Sequence, residues 1–413
     1  MSAARDIAAE ARVHECLERI DAREAEIGAW ETIDREGALK QARICDRSPD
    51  RGLLHGIPIG VKDIIDVAGL PARYGTPIYA SNVAASDAAC VALAKAAGAI
   101  VLGKTVTTEL AFFHPGKTRN PHNLAHTPGG SSSGSAAAVA AGMVRLAFGS
   151  QTAGSVIRPA SYCGVVGYKP TFGMIPRAGV KSQSDTLDTV GLMAGSVEDA
   201  ALFAAGITGD HDLLVAAAPR QTAHIGICHT HEWAQASDDT QRAIETAAAQ
   251  FSRAGARVTQ VELPEPFARL CAAQKDIQLF ECARSYCFEY EVHRDELSAR
   301  LRGLIEEGRG ISWKRYRAAL DLAVQCRAFI AGIFLNIDVL LMPSAPGEAP
   351  HGLESTGDPV FNRIGTVLQL PCITLPGFHG HSGLPVGIQL MGPVWQDAAT
   401  LRAAHWAQQA LKQ

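Results

Sequence analysis

Short β-branched runs alternate with alanine-rich segments along this chain, and that alternation constrains the fold more than any other feature of the sequence. After Gly56 the sequence reads IPIGV and DIIDV, then the helical segment DAACVALAKAAG, and then AIVLG. Strands that are covered on both sides form near-continuous apolar runs, and helices connect them. The pattern therefore predicts an α/β fold in which helices cover a sheet.

The remainder of the chain continues this pattern without an internal repeat or a low-complexity linker. QTAHIGIC and ARVTQVELP bracket a helical segment, which predicts a β–α–β unit, and IDVLLMP and PVGIQLMG close the sheet. Residues 3–47 carry apolar side chains at helical spacing among many charges, which predicts one or two surface helices. We expect one domain over residues 1–413. Its parts are N-terminal helices (1–50), a core (51–210), a more variable helical part (211–335) and a C-terminal closure of the sheet (336–413).

Charge and cysteine content limit the functional class. The formal net charge of −4 gives no general attraction to nucleic acid or to an anionic membrane, so we expect a small-molecule partner and neither of those two. The charged N-terminal sequence lacks the apolar segment of a secretory signal, and no apolar run approaches the roughly 18 residues of a membrane span. Ten cysteines are scattered without a C-x-x-C pair, which is atypical of zinc ribbons. We expect a cytoplasmic protein without a metal or other cofactor.

Residues 128–160, PGGSSSGSAAAVAAGMVRLAFGSQTAGSVIRPA, place glycines and hydroxyl side chains in two clusters on either side of an alanine-rich run. Serine can act as a nucleophile, a proton relay or a hydrogen-bond donor. The run at residues 135–149 is apolar nearly all round, which predicts a buried central helix. The N–H groups at the start of such a helix favour an anion or a partially negative oxygen.

Lys62 lies among apolar residues in HGIPIGVKDIIDV. A solvated lysine is a poor base at neutral pH, but desolvation lowers its pKa. The alternative is a structural lysine that pairs with Asp63 or Asp66 or extends to solvent. The two serine clusters likewise admit a helix cap and a tight loop. Together, however, a desolvated lysine, a serine-rich turn and Ser155 can supply a base, a relay and a nucleophile without histidine.

The segment GAIVLGKT, residues 98–105, matches the phosphate-binding pattern G-x-x-x-x-G-K-S/T through Lys104. A phosphate-binding loop follows a strand and precedes a helix. In this chain the four residues between the glycines form the strand itself, and the helical segment comes before it. The pattern therefore favours a buried strand that ends in a turn over a P-loop nucleotide-binding protein.

Six segments carry a further signal: HGIPIGVKD, GAIVLGKT, PGGSS, the GS turn before PA, YKPTFG and GLPVGIQLMGP. Together they resemble the amidase signature family, and within it most closely the malonamidases. The resemblance implies a central twisted mixed β-sheet with helices on both faces, and a homodimer. It also implies a Ser–cis-Ser–Lys triad in which Ser155 is the nucleophile, Ser131 the middle serine after a cis peptide bond, and Lys62 the base. The implied oxyanion donors are the backbone N–H groups of Thr152, Ala153, Gly154 and Ser155.

The nucleophile segment departs from the family pattern at Gln151, Ala153 and Ile157, where members usually have an acid, a glycine and an arginine. Loss of the acid and the arginine together avoids leaving one buried charge unpaired. Arg158, one residue later, can present its planar fork to a substrate carboxylate. The alternative is that Arg158 caps a loop or pairs with a distant acid.

These features predict an amidohydrolase that cleaves a small carboxylated primary amide through a serine acyl-enzyme, with malonamate giving malonate and ammonia. The predicted substrate-binding residues are Arg158, Gly130 and Ser132. An alternative function is the glutaminase-type subunit of a tRNA amidotransferase, which shares the triad. The roles of Ser133 and Gly365, which also depart from the family pattern, stay open.

Overall fold

The computed structural model describes residues 8–48, 52–215 and 223–412. Within these ranges the strands are β1 (Trp30–Ile33), β2 (Pro58–Lys62), β3 (Ile100–Thr105), β4 (Leu146–Gln151), β5 (Val166–Lys169), β6 (Thr189–Ala194), β7 (His224–Cys228), β8 (Arg257–Val261), β9 (Val339–Pro343), β10 (Cys372–His379) and β11 (Pro385–Met391). The α-helices are α1 (Ala9–Ile27), α2 (Arg35–Arg47), α3 (Ala89–Ala96), α4 (Ser133–Ala140), α5 (Ile157–Tyr162), α6 (Val197–Thr208), α7 (Asp238–Arg253), α8 (Leu270–Ser285), α9 (Cys287–Val292), α10 (Ala299–Arg309), α11 (Trp313–Ile333), α12 (Val360–Val367) and α13 (Asp397–Ala410).

All of these strands lie in one mixed sheet, in the order β1-β3-β2-β4-β6-β5-β10-β11-β9-β7-β8. Strand β2 is parallel to both β3 and β4, whereas β6 is antiparallel to β4 and β5. At the other end of the sheet, β7 is parallel to β8 and β9. The predicted α/β class with a mixed sheet is confirmed.

Alternate residues of β4 show that both faces of the sheet are covered. Leu146 and Phe148 belong to one buried apolar cluster, which includes α3, α6 and α13. Ala147, between them, belongs to a second cluster, which includes α1, α2 and α4. Because successive side chains of a strand point to opposite faces, the helices form a layer on each side of the sheet.

The N-terminal helices and the β–α–β unit form as predicted. Helices α1 and α2 occupy the segment in which one or two surface helices were expected, and β7, α7 and β8 form the unit with its two strands parallel. The short edge strand β1, which lies between α1 and α2 and pairs with β3, was not predicted.

The predicted helix over residues 135–149 is wrong in its second half. Helix α4 ends at Ala140, Gly142 follows with φ of 69°, and residues 146–149 belong to strand β4. A glycine at positive φ is a common helix terminator. A continuous apolar run fits a buried strand as well as a buried helix, so its periodicity could not separate the two.

The prediction of a buried strand at residues 98–105 is confirmed by β3. Lys104 is fully buried in this strand, where its Nζ donates to Asp63 Oδ1 (2.7 Å) and to the carbonyl of Pro71 (3.0 Å). Its Nζ is therefore hydrogen-bonded within the core and is not placed to hold a phosphate. No helix in the described ranges is long and apolar enough to cross a membrane.

Candidate active site

Lys62 is the last residue of β2, an interior strand of the sheet, and contacts two serines. It is fully buried, and its Nζ donates to Ser131 Oγ (2.7 Å) and to Ser150 Oγ (2.8 Å). Burial lowers the pKa of Lys62 to about 7, against the charge of Asp188, which raises it. Near neutral pH a large fraction of this amine is therefore uncharged and can accept a proton from a neighbouring hydroxyl.

Ser131 lies in the tight segment that leads into α4. The peptide bond between Gly130 and Ser131 is cis, and Gly129 has φ of 82°. A Cβ atom at Gly129 would lie 2.9 Å from the Cα of Pro159, so this position needs glycine for space as well as for conformation. The segment thereby carries Ser131, itself 2% exposed, to the end of the Lys62 side chain.

The turn at residues 152–155 follows β4 and has bonded carbonyl oxygens. Their donors, in order along the turn, are Gln274 Nε2 (2.9 Å), Thr366 Oγ1 (2.8 Å), Arg158 N (2.9 Å) and Ser132 N (3.3 Å). Among the residues that the structure describes, no acceptor binds the N–H groups of this turn. A fixed turn with free N–H groups can stabilise an oxyanion that develops beside it.

Gln151 explains how the chain accommodates the loss of the family's acid and arginine. Its side-chain oxygen accepts hydrogen bonds from the N–H groups of Val156 (3.0 Å) and Ile157 (3.1 Å), and its Nε2 donates to Thr366 Oγ1 (2.9 Å). A neutral amide thus fixes the chain on both sides of Ser155. Position 151 therefore places no buried charge beside the turn.

Arg158 and Ser155 line the same cavity. Arg158, in α5, is 2% exposed; its Nε donates to the carbonyl of Thr356 (2.7 Å) and its Nη2 to that of Gly130 (2.8 Å). Its Nη1 is buried and has no hydrogen-bond partner in the described part of the chain. Burial lowers the pKa of Arg158 to about 10, so the guanidinium stays charged at neutral pH. This arginine does hold loop carbonyls, and one of its guanidinium nitrogens is buried without a hydrogen-bond partner among the described residues.

The structure brings most of the predicted site residues together. Lys62 bonds to Ser131, Ser155 shares a cavity with Arg158, and the Gly130 carbonyl lies against that guanidinium. Ser132 is placed differently. Its hydroxyl donates to the carbonyl of Ser150 (3.3 Å) and accepts from the N–H of the same residue (3.2 Å), so it anchors the turn to β4.

Sequence reasoning missed several polar residues around this site. They are Ser150, Asp188, Gln274 and Thr366. Ser150 could have been found, because β4 is parallel to β2 and its end must lie beside Lys62. Gln274 and Thr366 are far along the chain and carry no local pattern that marks them.

One group of side chains in the described ranges could hold a metal ion: Asp239, Glu348 and His381, whose ligand atoms lie within 4.8 Å of one another. Both carboxylates already accept hydrogen bonds from the backbone of the segment around His381. The group contains none of the residues that surround Lys62 and Ser155.

Comparison with known proteins places this geometry in context. The family model described as Amidase matches residues 11–401. A glutamyl-tRNA(Gln) amidotransferase subunit from Koribacter versatilis is 31% identical, with 95% of this chain and 93% of that protein covered. The protein of the same name from Desulforudis audaxviator is 33% identical, with 98% and 93% covered.

Solved structures of amidases are also similar to this chain. A crystal structure of an amidase superposes with a TM-score of 0.88 at 27% identity, covering 98% of this chain and 96% of that one. The native peptide amidase from Stenotrophomonas maltophilia superposes with a TM-score of 0.82 at 29% identity, covering 99% and 95%. The chain is therefore an enzyme of the class that hydrolyses carbon–nitrogen bonds of amides.

The prediction about partners is wrong. It named a small molecule and a homodimer and excluded nucleic acid, whereas the relatives are named as one subunit of an enzyme that acts on a tRNA. The physical reason is that a whole-chain charge of −4 reports only the average field. It carries no information about recognition of RNA through other subunits or through a local surface.

Proposed function

We propose that this chain, which belongs to the amidase family, releases ammonia from a primary amide that carries a carboxylate, through an acyl-enzyme on Ser155. One observation carries the proposal: Arg158 is a buried cation whose Nη1 has no hydrogen-bond partner among the described residues, and it lines the same cavity as Ser155. A buried guanidinium with a free donor favours a carboxylate, because charge-assisted hydrogen bonds are stronger than neutral ones.

The proposed proton path follows the contacts of Lys62. The neutral amine accepts the proton of Ser131, with which it shares a 2.7 Å hydrogen bond. Ser131 in turn accepts the proton of Ser155, and the Oγ of Ser155 forms a bond to the carbonyl carbon of the amide. Ser150 holds the Lys62 amine from another side at 2.8 Å and so keeps it directed at this pair.

The turn at residues 152–155 then stabilises the oxyanion. Its carbonyl groups are held by side chains and backbone from several parts of the chain, so its N–H groups cannot turn away from the cavity without breaking those bonds. Donors that are fixed in advance cost no reorganisation as charge develops. Gly154 allows close packing here, since a Cβ atom would lie 2.3 Å from Asn362 Oδ1.

Collapse of the tetrahedral intermediate breaks the carbon–nitrogen bond. The proton held by Lys62 returns through Ser131 to the leaving nitrogen, and ammonia departs. A water molecule then attacks the Ser155 ester while the same relay takes and returns a proton, which yields the carboxylic acid and the free enzyme. Atoms and charges balance in both half-reactions.

The relatives favour one identity for the amide. Curated proteins that match nearly the whole chain are named as a subunit of glutamyl-tRNA(Gln) amidotransferase. By this likeness the amide is that of glutamine, whose carboxylate contacts Arg158, and the chain acts as the glutaminase-type subunit of a larger enzyme.

A shorter substrate is favoured by the position of Arg158. The guanidinium belongs to a residue only three positions after Ser155 and lines the same cavity. A carboxylate close to the scissile amide fits this spacing, as in malonamate, and the resemblance to malonamidases points the same way.

Ammonia release from glutamine, malonamate and the neutral propionamide separates the candidates. Stimulation of glutamine hydrolysis by partner subunits and glutamyl-tRNA identifies the first, and preference for malonamate by the isolated chain identifies the second.

Replacing Arg158 by methionine is expected to lower kcat/KM for the carboxylated amide about 10- to 100-fold and to change that for propionamide far less. The change removes the charged hydrogen bond to the substrate, which contributes about 1.5–3 kcal/mol. It also removes the bonds to the Thr356 and Gly130 carbonyls, a loss that both amides share. Arg327→Met is the matched control, because this partly buried guanidinium also binds a backbone carbonyl (Val367, 2.8 Å) but is not part of the cavity. An equal loss for charged and neutral amides in the Arg158 variant would contradict carboxylate recognition.

A further inference from the structure

Asp188 is a buried acid next to the turn that carries Ser155, and no step of the proposed mechanism uses it. It precedes β6 directly and is 7% exposed. Its Oδ1 accepts a hydrogen bond from the Thr152 hydroxyl at 2.6 Å. Its Oδ2 accepts from the N–H groups of Gln183 (2.7 Å) and Ser184 (3.0 Å), and from the Ser182 hydroxyl (3.4 Å).

These contacts select the ionised form of Asp188. Two of them come from the backbone N–H groups of Gln183 and Ser184, which can only donate. Burial is the largest influence and raises the pKa of Asp188, and the hydrogen bonds from Ser184, Thr152 and Gln183 and the charge of Arg177 oppose that rise. A carboxylate that accepts several such hydrogen bonds is stabilised in its charged state.

The same carboxylate lies close to Ser150, a hydrogen-bond partner of Lys62. A second cavity is lined by Asp188 and Thr152 together with Ser150, the residue that accepts a hydrogen bond from Lys62. The charge of Asp188 acts on Lys62 and favours its ammonium form, in opposition to burial. Asp188 therefore binds the turn at residues 152–155 through the Thr152 hydroxyl, and its negative charge acts on Lys62.

We propose that Asp188 is a positioning residue of this amidase site, which holds the oxyanion turn through Thr152 and supplies the negative charge that balances Lys62 when it carries the relayed proton. The inference rests on the proposed roles of Ser155 and Lys62. Each turnover places a proton on a fully buried amine twice, once in acylation and once in deacylation. A fixed carboxylate nearby stabilises that buried ammonium without accepting the proton itself.

The other groups that face Asp188 do not supply this charge. Arg177 is a cation and lies in the wall of the same cavity. From α8, Cys282 and Tyr286 face Asp188, and burial raises the pKa of both, so both are neutral at neutral pH. Lys62 itself hydrogen-bonds only to the two neutral serines within the described chain.

Asp188→Asn tests the proposal, because asparagine fits the same contacts without the charge. Its side-chain oxygen can replace Oδ2 as the acceptor for Gln183 and Ser184, and its amide can donate to a rotated Thr152 hydroxyl. In the full-length enzyme we expect the acid limb of kcat/KM for ammonia release, which reports Lys62 near pH 7, to move to lower pH by about one unit or more. The sign follows because loss of a nearby negative charge disfavours the ammonium form.

Thr152→Val is the matched control, since it breaks the contact with the turn and keeps the Asp188 charge. We expect it to lower the plateau of kcat/KM several-fold and to leave the acid limb in place. The rate at which a fluorophosphonate labels Ser155, measured by intact mass at a series of pH values, reports the same acid limb without turnover. This measurement is used if a variant is too slow for the ammonia assay. Thermal melting verifies that both variants are folded.

The outcomes separate this inference from the proposed function. A limb that shifts in Asp188→Asn and stays in Thr152→Val supports it. An unshifted limb in a folded Asp188→Asn protein overturns it, as does a uniform loss at every pH, which indicates a structural acid only. If the wild-type protein shows no acid limb near pH 7, or if Ser155→Ala keeps its activity, the failure lies in the proposed roles of Lys62 and Ser155 instead.

Discussion

Replacement of Ser155 by alanine is expected to lower the rate of ammonia release by about 10⁴-fold or more. In the proposed mechanism the Ser155 hydroxyl supplies the only atom that bonds to the amide carbon, so no other side chain of the site can take its part. The turn at residues 152–155 keeps its hydrogen bonds in this variant, because they involve the backbone and not the Ser155 hydroxyl. Substrate binding should therefore survive, and the loss should appear in kcat and not in KM.

Ser133→Ala is the control for this change. Ser133 is a neighbouring buried serine whose hydroxyl donates to the carbonyl of Val106 at 3.3 Å and has no contact with Lys62. We expect activity within a few-fold of the wild type. Steady-state ammonia release measures both variants. A Ser155→Ala protein with near wild-type turnover, or an inactive but folded Ser133→Ala protein, would show that the nucleophile has been assigned to the wrong serine.

Replacement of Lys62 by methionine is expected to lower kcat by about 10³-fold, within the range that general bases contribute. Methionine keeps much of the buried volume and removes the amine that accepts the proton of Ser131 at 2.7 Å. Because burial already opposes the charge on Lys62, its removal should not destabilise the fold. Comparison of thermal melting with kcat separates loss of the base from loss of structure.

Lys169→Met controls for the removal of a buried lysine. Lys169 is fully buried in β5 of the same sheet and donates to the carbonyl of Pro170 at 2.9 Å. Burial lowers its pKa as it does that of Lys62. We expect this variant to keep its activity. Equal losses in the two lysine variants would argue that Lys62 matters for packing and not for proton transfer.

The sequence allowed the sheet to be predicted because strand and helix segments alternate clearly. The P-loop pattern around Lys104 was rejected by position alone, since the residues between its glycines form β3, and the buried pair with Asp63 agrees with that argument. The same kind of reasoning failed at residues 135–149. There, small apolar residues continue from α4 into β4 without any change of composition at the boundary.

The side chains around the site also fall into two groups, those that the sequence predicted and those that it missed. Lys62, Ser131 and Ser155 were predicted because their segments carry recognisable patterns, and the Lys62–Ser131 contact is present in the structure. Asp188 was missed because its loop carries no recognisable sequence pattern. Only the folded structure shows that this loop lies beside Thr152. Contacts between distant segments determine such positions, and no local periodicity reports them.

The partners could not be predicted from the residues considered. Net charge describes only long-range attraction, and it gave no indication of the tRNA and the subunit role that appear in the names of the relatives. Arg158 shows the opposite case. An arginine within one helical turn of the nucleophile is a local feature, and the cavity it shares with Ser155 follows from that spacing.

The central claim, an acyl-enzyme on Ser155, is tested most directly by mass spectrometry of the wild-type enzyme after acid quench within the first turnovers on its best amide substrate. We predict that the peptide containing Ser155 gains the mass of the acyl group without its nitrogen, and that this adduct fails to form on the same timescale in Lys62→Met. An acyl group on any other residue, or ammonia release at full rate with unmodified Ser155 at every time point, would contradict the account.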